Sequence, residues 1–152
     1  LRVLQIGKII MRSRLTILLA SLLAVMQTPA ETFETQNGLT IHYSIVPTLM
    51  LPKNIVNQYQ IVRAKDRSIL NIAIKDQTGS SVKASIEGKK ENLLGQQEEL
   101  SFSEFSEGDA IYYVAAFKHG KEEFLRFSTE IQPPNKKSQT LRFSKKLYLG
   151  KE

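Results

Sequence analysis

Cysteine is absent from this 152-residue sequence. That excludes disulfides, thiolate metal sites, a cysteine nucleophile and a lipid anchor carried on cysteine, so the fold must rest on its core alone. Histidine is scarce: His42 and His119 are the only two, and Met50 is the only methionine beyond residue 30. A zinc or copper site wants two or more histidines, or histidine with a carboxylate, at short spacing. No metal and no other cofactor is therefore expected. A glycine-rich phosphate loop, a triad order and an EF-hand pattern are all missing. Ser80 and Ser81 lack both the glycine elbow and the base that would make either a nucleophile. The carboxylates Glu104, Glu107 and Asp109, and Glu122 with Glu123, fall in turns rich in glycine and lysine, where they read as solvated surface and not as an acid and base pair. No catalytic residue is assigned, and an enzyme is kept only as the alternative reading.

Acidic residues are also missing from the first thirty positions, which hold Arg2, Lys8, Arg12 and Arg14. The formal net charge of +6 is thus concentrated there, and from residue 31 on 17 basic residues face 15 acidic ones. Nucleic-acid binding loses most of its support. The basic Met11 to Arg14, the mostly apolar Leu15 to Met26, and Thr28 and Ala30 at the small-residue positions have the order of a Sec-type signal peptide. Cleavage is expected near Ala30, giving a periplasmic protein. The apolar run falls short of the roughly 20 residues that span a bilayer, so no membrane span is expected to remain after cleavage. Residues 1–10 precede a good initiator, Met11, and are expected to be an over-extended gene start.

Residues 31–152 have room for one ordinary domain. Asp109 to His119 is apolar at both alternating sets of positions: Ile111, Tyr113, Ala115 and Phe117 on one, Tyr112, Val114 and Ala116 on the other. As a strand it needs cover on both faces, and it is expected to be the central strand. One of Tyr112 and Tyr113 must face the core and the other a helix, a loop or a partner. Around it the chain reads as shorter, one-sided strands. Glu31 to Phe33 and Leu39 to Val46 flank Asn37-Gly38, a hairpin signal, with His42 turned outward. Pro52 starts a short helix, Lys53 to Tyr59, expected to close one end of the core. Ile61 to Lys65 and Ser68 to Lys75 follow as strands, with Arg63, Lys65 and Arg67 as an alternating basic row.

Asp76 to Ser81 is turn chemistry, and Val82 to Glu87 a short strand. Gly88 to Gln96 reads as a connection in which Leu93 and Leu94 would be costly to expose together, so it is expected to fold back onto the sandwich or onto a partner. Glu98 to Glu107 is read as one strand. Lys121 to Gln132 and Ser138 to Leu149 are two more, and Leu-Arg-Phe-Ser at 125–128 recurs at 141–144. The recurrence marks two equivalent strands of one sheet. Together these features predict an all-β fold: an antiparallel, immunoglobulin-like β-sandwich of about seven or eight strands with one short helix.

Pro47-Thr-Leu-Met-Leu-Pro52, Tyr59-Gln-Ile-Val-Arg63, Asn71-Ile72, Asn92-Leu-Leu-Gly-Gln96, Glu107-Gly-Asp-Ala-Ile-Tyr-Tyr113, Leu125-Arg-Phe127, and Leu141-Arg-Phe143 through Lys146-Leu-Tyr148 follow one another in an order that resembles a bacterial family, domain of unknown function 4426. The resemblance runs over almost the whole of residues 31–152. It implies an exported β-sandwich of proteobacteria with no assigned catalytic residues, and it transfers no mechanism.

These readings point to a non-catalytic binding or accessory module for an unidentified periplasmic or envelope protein. Its candidate surface comprises Leu93, Leu94 and Gln96, with Arg63, Tyr112 and Tyr113. A second copy of the chain could also cover the two-sided strand. The alternative is a small-ligand protein or enzyme with a pocket near Tyr112, Tyr113, Arg63 and the Glu107 to Asp109 turn.

Overall fold

Apolar residues at every second position become the inner faces of two antiparallel sheets in the computed structural model, which describes residues 31–34 and 38–150. Nine strands lie among these residues: β1 (Glu31–Glu34), β2 (Thr40–Pro47), β3 (Arg67–Lys75), β4 (Ser85–Asn92), β5 (Gln97–Leu100), β6 (Ser103–Glu107), β7 (Ala110–Lys118), β8 (Glu122–Gln132) and β9 (Gln139–Tyr148). A 3-10 turn (Thr48–Met50) and one helix, α1 (Lys53–Gln58), separate β2 from β3. The first sheet has the order β1-β2-β3-β7-β6 and the second β5-β4-β8-β9. The expected export segment, residues 1–30, and Asn37 of the expected hairpin turn lie outside the described residues.

Between the sheets lie Leu39, Ile41, Leu70, Ile72, Ile74, Tyr113, Ala115 and Phe117 from the first, and Leu100, Leu125, Phe127, Ile131 and Leu141 from the second. Phe127 occupies the middle. Its ring stacks on Phe143 at 4.9 Å between centroids and meets Phe117 edge-on at 5.3 Å. Phe143 in turn packs against Tyr43 at 4.5 Å, so four aromatic rings tie β2, β7, β8 and β9 together.

The central place in the first sheet belongs to β3, not to β7. Residues 68–70 and 72–74 of β3 are all buried, whereas β7 buries Tyr113, Ala115 and Phe117 on one face and leaves Ala116 exposed on the other. Two tyrosines made β7 look more two-sided than it is. The helix does not close an end of the core. It covers the outer face of the first sheet, where Val46, Leu51, Val56 and Ile69 form a second small cluster with Ile61 and Val114. Its C-terminus is sealed by Gln60 at φ 52°, with the Ile61 N–H donating to the Val56 carbonyl at 2.9 Å and Ile61 meeting the same cluster.

Three segments depart from the sequence reading. Ile61 to Lys65 is irregular and not a strand. The Ala64 N–H finds its acceptor in the Thr48 hydroxyl at 3.0 Å, and that hydroxyl lies 3.1 and 3.2 Å from the Ala64 and Arg67 carbonyls, to one of which it donates. Glu98 to Glu107 is two strands: β5 pairs with β4 in the second sheet, and β6 pairs with β7 in the first. In the third case β4 runs on through Gly88 to Asn92, where a connection was expected. Gly88 faces the core, and a Cβ there would come within 3.0 Å of the Phe102 ring and 3.1 Å of the Thr129 hydroxyl. It serves close approach of two layers and not a turn. Lys90, also on the inner side, pairs with Glu98 at 2.8 Å across β4 and β5.

Because Phe127 contacts aromatic residues of both sheets, Phe127→Ala is expected to cost about 3–5 kcal/mol in urea unfolding. A cost below about 1 kcal/mol would show that the two sheets do not depend on this ring.

Candidate functional site

The hairpin between β4 and β5 is built on one side chain. The Asn92 Oδ1 accepts from the N–H groups of Leu94 and Gln96, both at 3.0 Å, while its Nδ2 donates to Gln96 Oε1 at 2.7 Å. The Asn92 carbonyl accepts from the Gly95 N–H at 3.0 Å, and the Asn92 N–H donates to the Gln96 carbonyl at 3.1 Å. Gly95 stands at φ 78°, the left-handed position that closes a three-residue hairpin loop. The loop is therefore held by five hydrogen bonds that all run to Asn92, and its two leucines project from it: Leu93 is 66% and Leu94 83% exposed. They do not fold back onto the sandwich. One step beyond the last registered pair of β4 and β8, Asn92 opposite Leu125, stand Leu93 and the exposed Phe124.

Arg63, Tyr112 and Tyr113 are not gathered with this hairpin, nor with one another. Tyr113 is inside, its hydroxyl accepting from the Ala84 N–H at 2.8 Å and donating to Glu104 at 3.1 Å. Lys83 pairs with the other oxygen of Glu104 at 3.0 Å. Lys83 first, and then Tyr113, hold the Glu104 carboxyl below the usual carboxylate range, while burial first pushes the Tyr113 phenol up. Tyr112 faces out beside its cross-strand neighbour Phe105, whose ring lies 4.3 Å from that of Tyr59. Burial and the Glu107 charge push its phenol up. Arg63 donates to the Leu49 carbonyl and so fastens the loop after α1 to the 3-10 turn.

The histidines are separate and committed. His42 Nδ1 lies 3.3 Å from the Thr32 hydroxyl on the outer face of the first sheet. The buried ring of His119 has Nδ1 3.0 Å from the Gly120 carbonyl and Nε2 3.1 Å from the Ser68 hydroxyl. A carbonyl only accepts, so Nδ1 carries a proton and donates to Gly120, while Nε2 and the Ser68 hydroxyl share the second bond. No group of three or more histidine, aspartate or glutamate side chains able to hold a metal ion occurs among the described residues.

A groove of about 450 Å³ lies instead on the outer face of the second sheet. Lys89, Glu91 and Gln97 line one side of it, and Arg126 and Arg142 the other. Gln97 accepts from Lys89 at 2.9 Å and donates to Glu91 at 2.5 Å, and Arg126 reaches Glu91 at 3.3 Å. Gln97 first, and then Arg126, lower the Glu91 carboxyl below its ordinary range. None of these five residues was singled out in the sequence. The signal that could have found two of them is the repeated Leu-Arg-Phe-Ser.

Comparison with known proteins places this geometry. The family model for a domain of unknown function (DUF4426) matches residues 33–150. A DUF4426 family protein from Pseudomonas aeruginosa PAO1 has a similar structure, with TM-score 0.74 and 25% identity, covering 82% of this chain and 99% of that one. FetP of uropathogenic Escherichia coli strain F11, recombinantly expressed in the periplasm, matches with TM-score 0.62 and 15% identity over 80% of this chain and 95% of its own. A copper-bound variant of FetP matches with TM-score 0.58 and 14% identity over the same shares. No curated protein matches in sequence.

The Tyr113 hydroxyl generates a test of the inner network. In Tyr113→Phe the Ala84 N–H loses its acceptor and Glu104 a donor, at an expected cost of about 1–3 kcal/mol. Glu104 has a depressed folded value, so its contribution is full above the unfolded carboxylate value and is lost as pH falls through the folded one. Carbon-detected NMR of the variant should therefore show the Glu104 titration moved upward, and an unmoved titration would separate Glu104 from Tyr113.

Proposed function

The chain belongs to the DUF4426 family, and on that premise we propose that it is an exported, non-catalytic binding module whose hairpin tip engages an envelope protein. One observation carries the reading: two adjacent leucines, 66% and 83% exposed, are displayed on a turn that the Asn92 side chain and backbone hold with five hydrogen bonds. Exposed apolar side chains scattered singly need no explanation, but an adjacent pair on a hydrogen-bonded turn offers a partner's pocket a backbone that is already ordered. Phe124, exposed at the neighbouring position of β8, extends the apolar end of this hairpin. Export is supported by the signal-like pattern through Ala30 and by the periplasmic expression of the FetP neighbour. No helix among the described residues is long and apolar enough to cross a membrane.

Copper does not enter this reading. His42 and His119 stand on separate parts of the fold, with Nδ1 of His42 engaged by Thr32 and both nitrogens of His119 by Ser68 and Gly120, and among the described residues neither belongs to a group of three or more metal-binding side chains. The donor set present does not fit the metal named for the FetP variant.

Leu93→Ser with Leu94→Ser, in the tagged chain crosslinked within the periplasm of its source bacterium, tests the proposal. Unfolding stability is expected to stay within about 0.5 kcal/mol of the parent, as for exposed positions, while a reproducible crosslinked protein disappears. Retention of that protein by the double variant would remove the tip from the interface.

A further inference from the structure

The repeated tetrapeptide has a consequence on the outer face of the second sheet. β8 and β9 run antiparallel with Phe127 opposite Phe143. Two copies of Leu-Arg-Phe-Ser crossing at their phenylalanines must place each arginine opposite the other copy's serine, and the register does so: Arg126 faces Ser144 and Ser128 faces Arg142. Side chains alternate along a strand, so the phenylalanines go inward and all four polar residues go outward. Directly opposed residues stand about 4.5–5.5 Å apart at Cβ and diagonal ones about 7–8 Å. The outcome is a square patch with the two arginines at one pair of diagonal corners and the two serines at the other.

All four residues line the groove of about 450 Å³ already described. Arg126 is pinned from the side by Glu91 at 3.3 Å. Arg142 has no ion-pair or hydrogen-bond partner among the described residues, and neither hydroxyl of the serine pair has one. Lys89 on β4 lies opposite Ser128 and adds a third cation, against the single carboxylate of Glu91. A groove with donors on several sides and a net local charge of +2 is complementary to an anion that carries several acceptor oxygens, and planar guanidinium forks match such oxygens two at a time.

We propose that this Arg-Ser square is a binding site for a tetrahedral oxyanion of the phosphate class. The site is independent of the leucine tip: it uses other side chains and needs no protein partner. The anion enters from the solvent side, accepts from Arg142 and the two serine hydroxyls, and competes with Glu91 for Arg126. Glu91 thereby sets the affinity, since it both occupies one guanidinium and repels the incoming charge.

The full exported chain, titrated with inorganic phosphate and followed by amide NMR, and in parallel sedimented with phosphatidylcholine vesicles with and without phosphatidylglycerol, tests this and separates a soluble phosphate from a lipid headgroup. Saturable phosphate shifts centred on β8 and β9, weakened about tenfold or more by Arg142→Gln and strengthened several-fold by Glu91→Gln, would support a soluble oxyanion. The same pattern of variants in phosphatidylglycerol-dependent sedimentation would support the headgroup. Lys118→Gln, on the other sheet, serves as the control. If neither probe binds, or if Lys118→Gln weakens binding as much as Arg142→Gln does, the proposal is overturned.

Discussion

The contact that joins the two sheets is the ring of Phe127, stacked on Phe143 and meeting Phe117 edge-on. With no cysteine available, nothing covalent holds the sheets in register. Packing must do it, and aromatic rings supply large buried area together with a preferred geometry. The same contact decides the far side of the second sheet. Once Phe127 and Phe143 point inward, the two-residue period of a strand sends Arg126, Ser128, Arg142 and Ser144 outward, and a one-residue slip would bury four polar groups. Core and surface of β8 and β9 are thus set by one pairing.

Much of the fold is legible in the residues because it depends on alternation. Leu39 just before β2 and Ile41 within it, Ile72 and Ile74 in β3, and Leu125, Phe127 and Ile131 in β8 read as inner-face residues and are buried. The misreadings have local physical causes. Gly88 carries a turn signal, yet its missing Cβ is used for layer contact with Phe102 and Thr129. Lys90 points inward, which no apolar pattern reveals, and survives there because Glu98 is across the strand. Ile61 to Lys65 has strand composition without a strand partner, since Thr48 satisfies Ala64 instead. The change of sheet between Leu100 and Ser103 leaves no break in composition at all.

The candidate surfaces were less legible. Leu93 and Leu94 stood out as an anomaly, but whether they turn inward or outward depends on bonds made by Asn92, and these turn them out. Arg63 looked like part of a charged row and proves to be a fastening between two loops. Tyr112 and Tyr113, adjacent in sequence, go to opposite faces of one strand as the pleat requires. The Arg-Ser square needed the register of β8 on β9, which the repeat alone does not state.

The chain is a packed sandwich presenting an uncovered leucine pair on a hydrogen-bonded tip. Solvent paramagnetic relaxation of leucine methyl groups measures this directly. With a soluble gadolinium chelate, the methyls of Leu93 and Leu94 should relax fastest while those of Leu70, Leu125 and Leu141, all at most 1% exposed, stay protected. Protection of Leu93 and Leu94 in the isolated chain would contradict the account, because the tip would then already be covered by the chain itself or by a second copy.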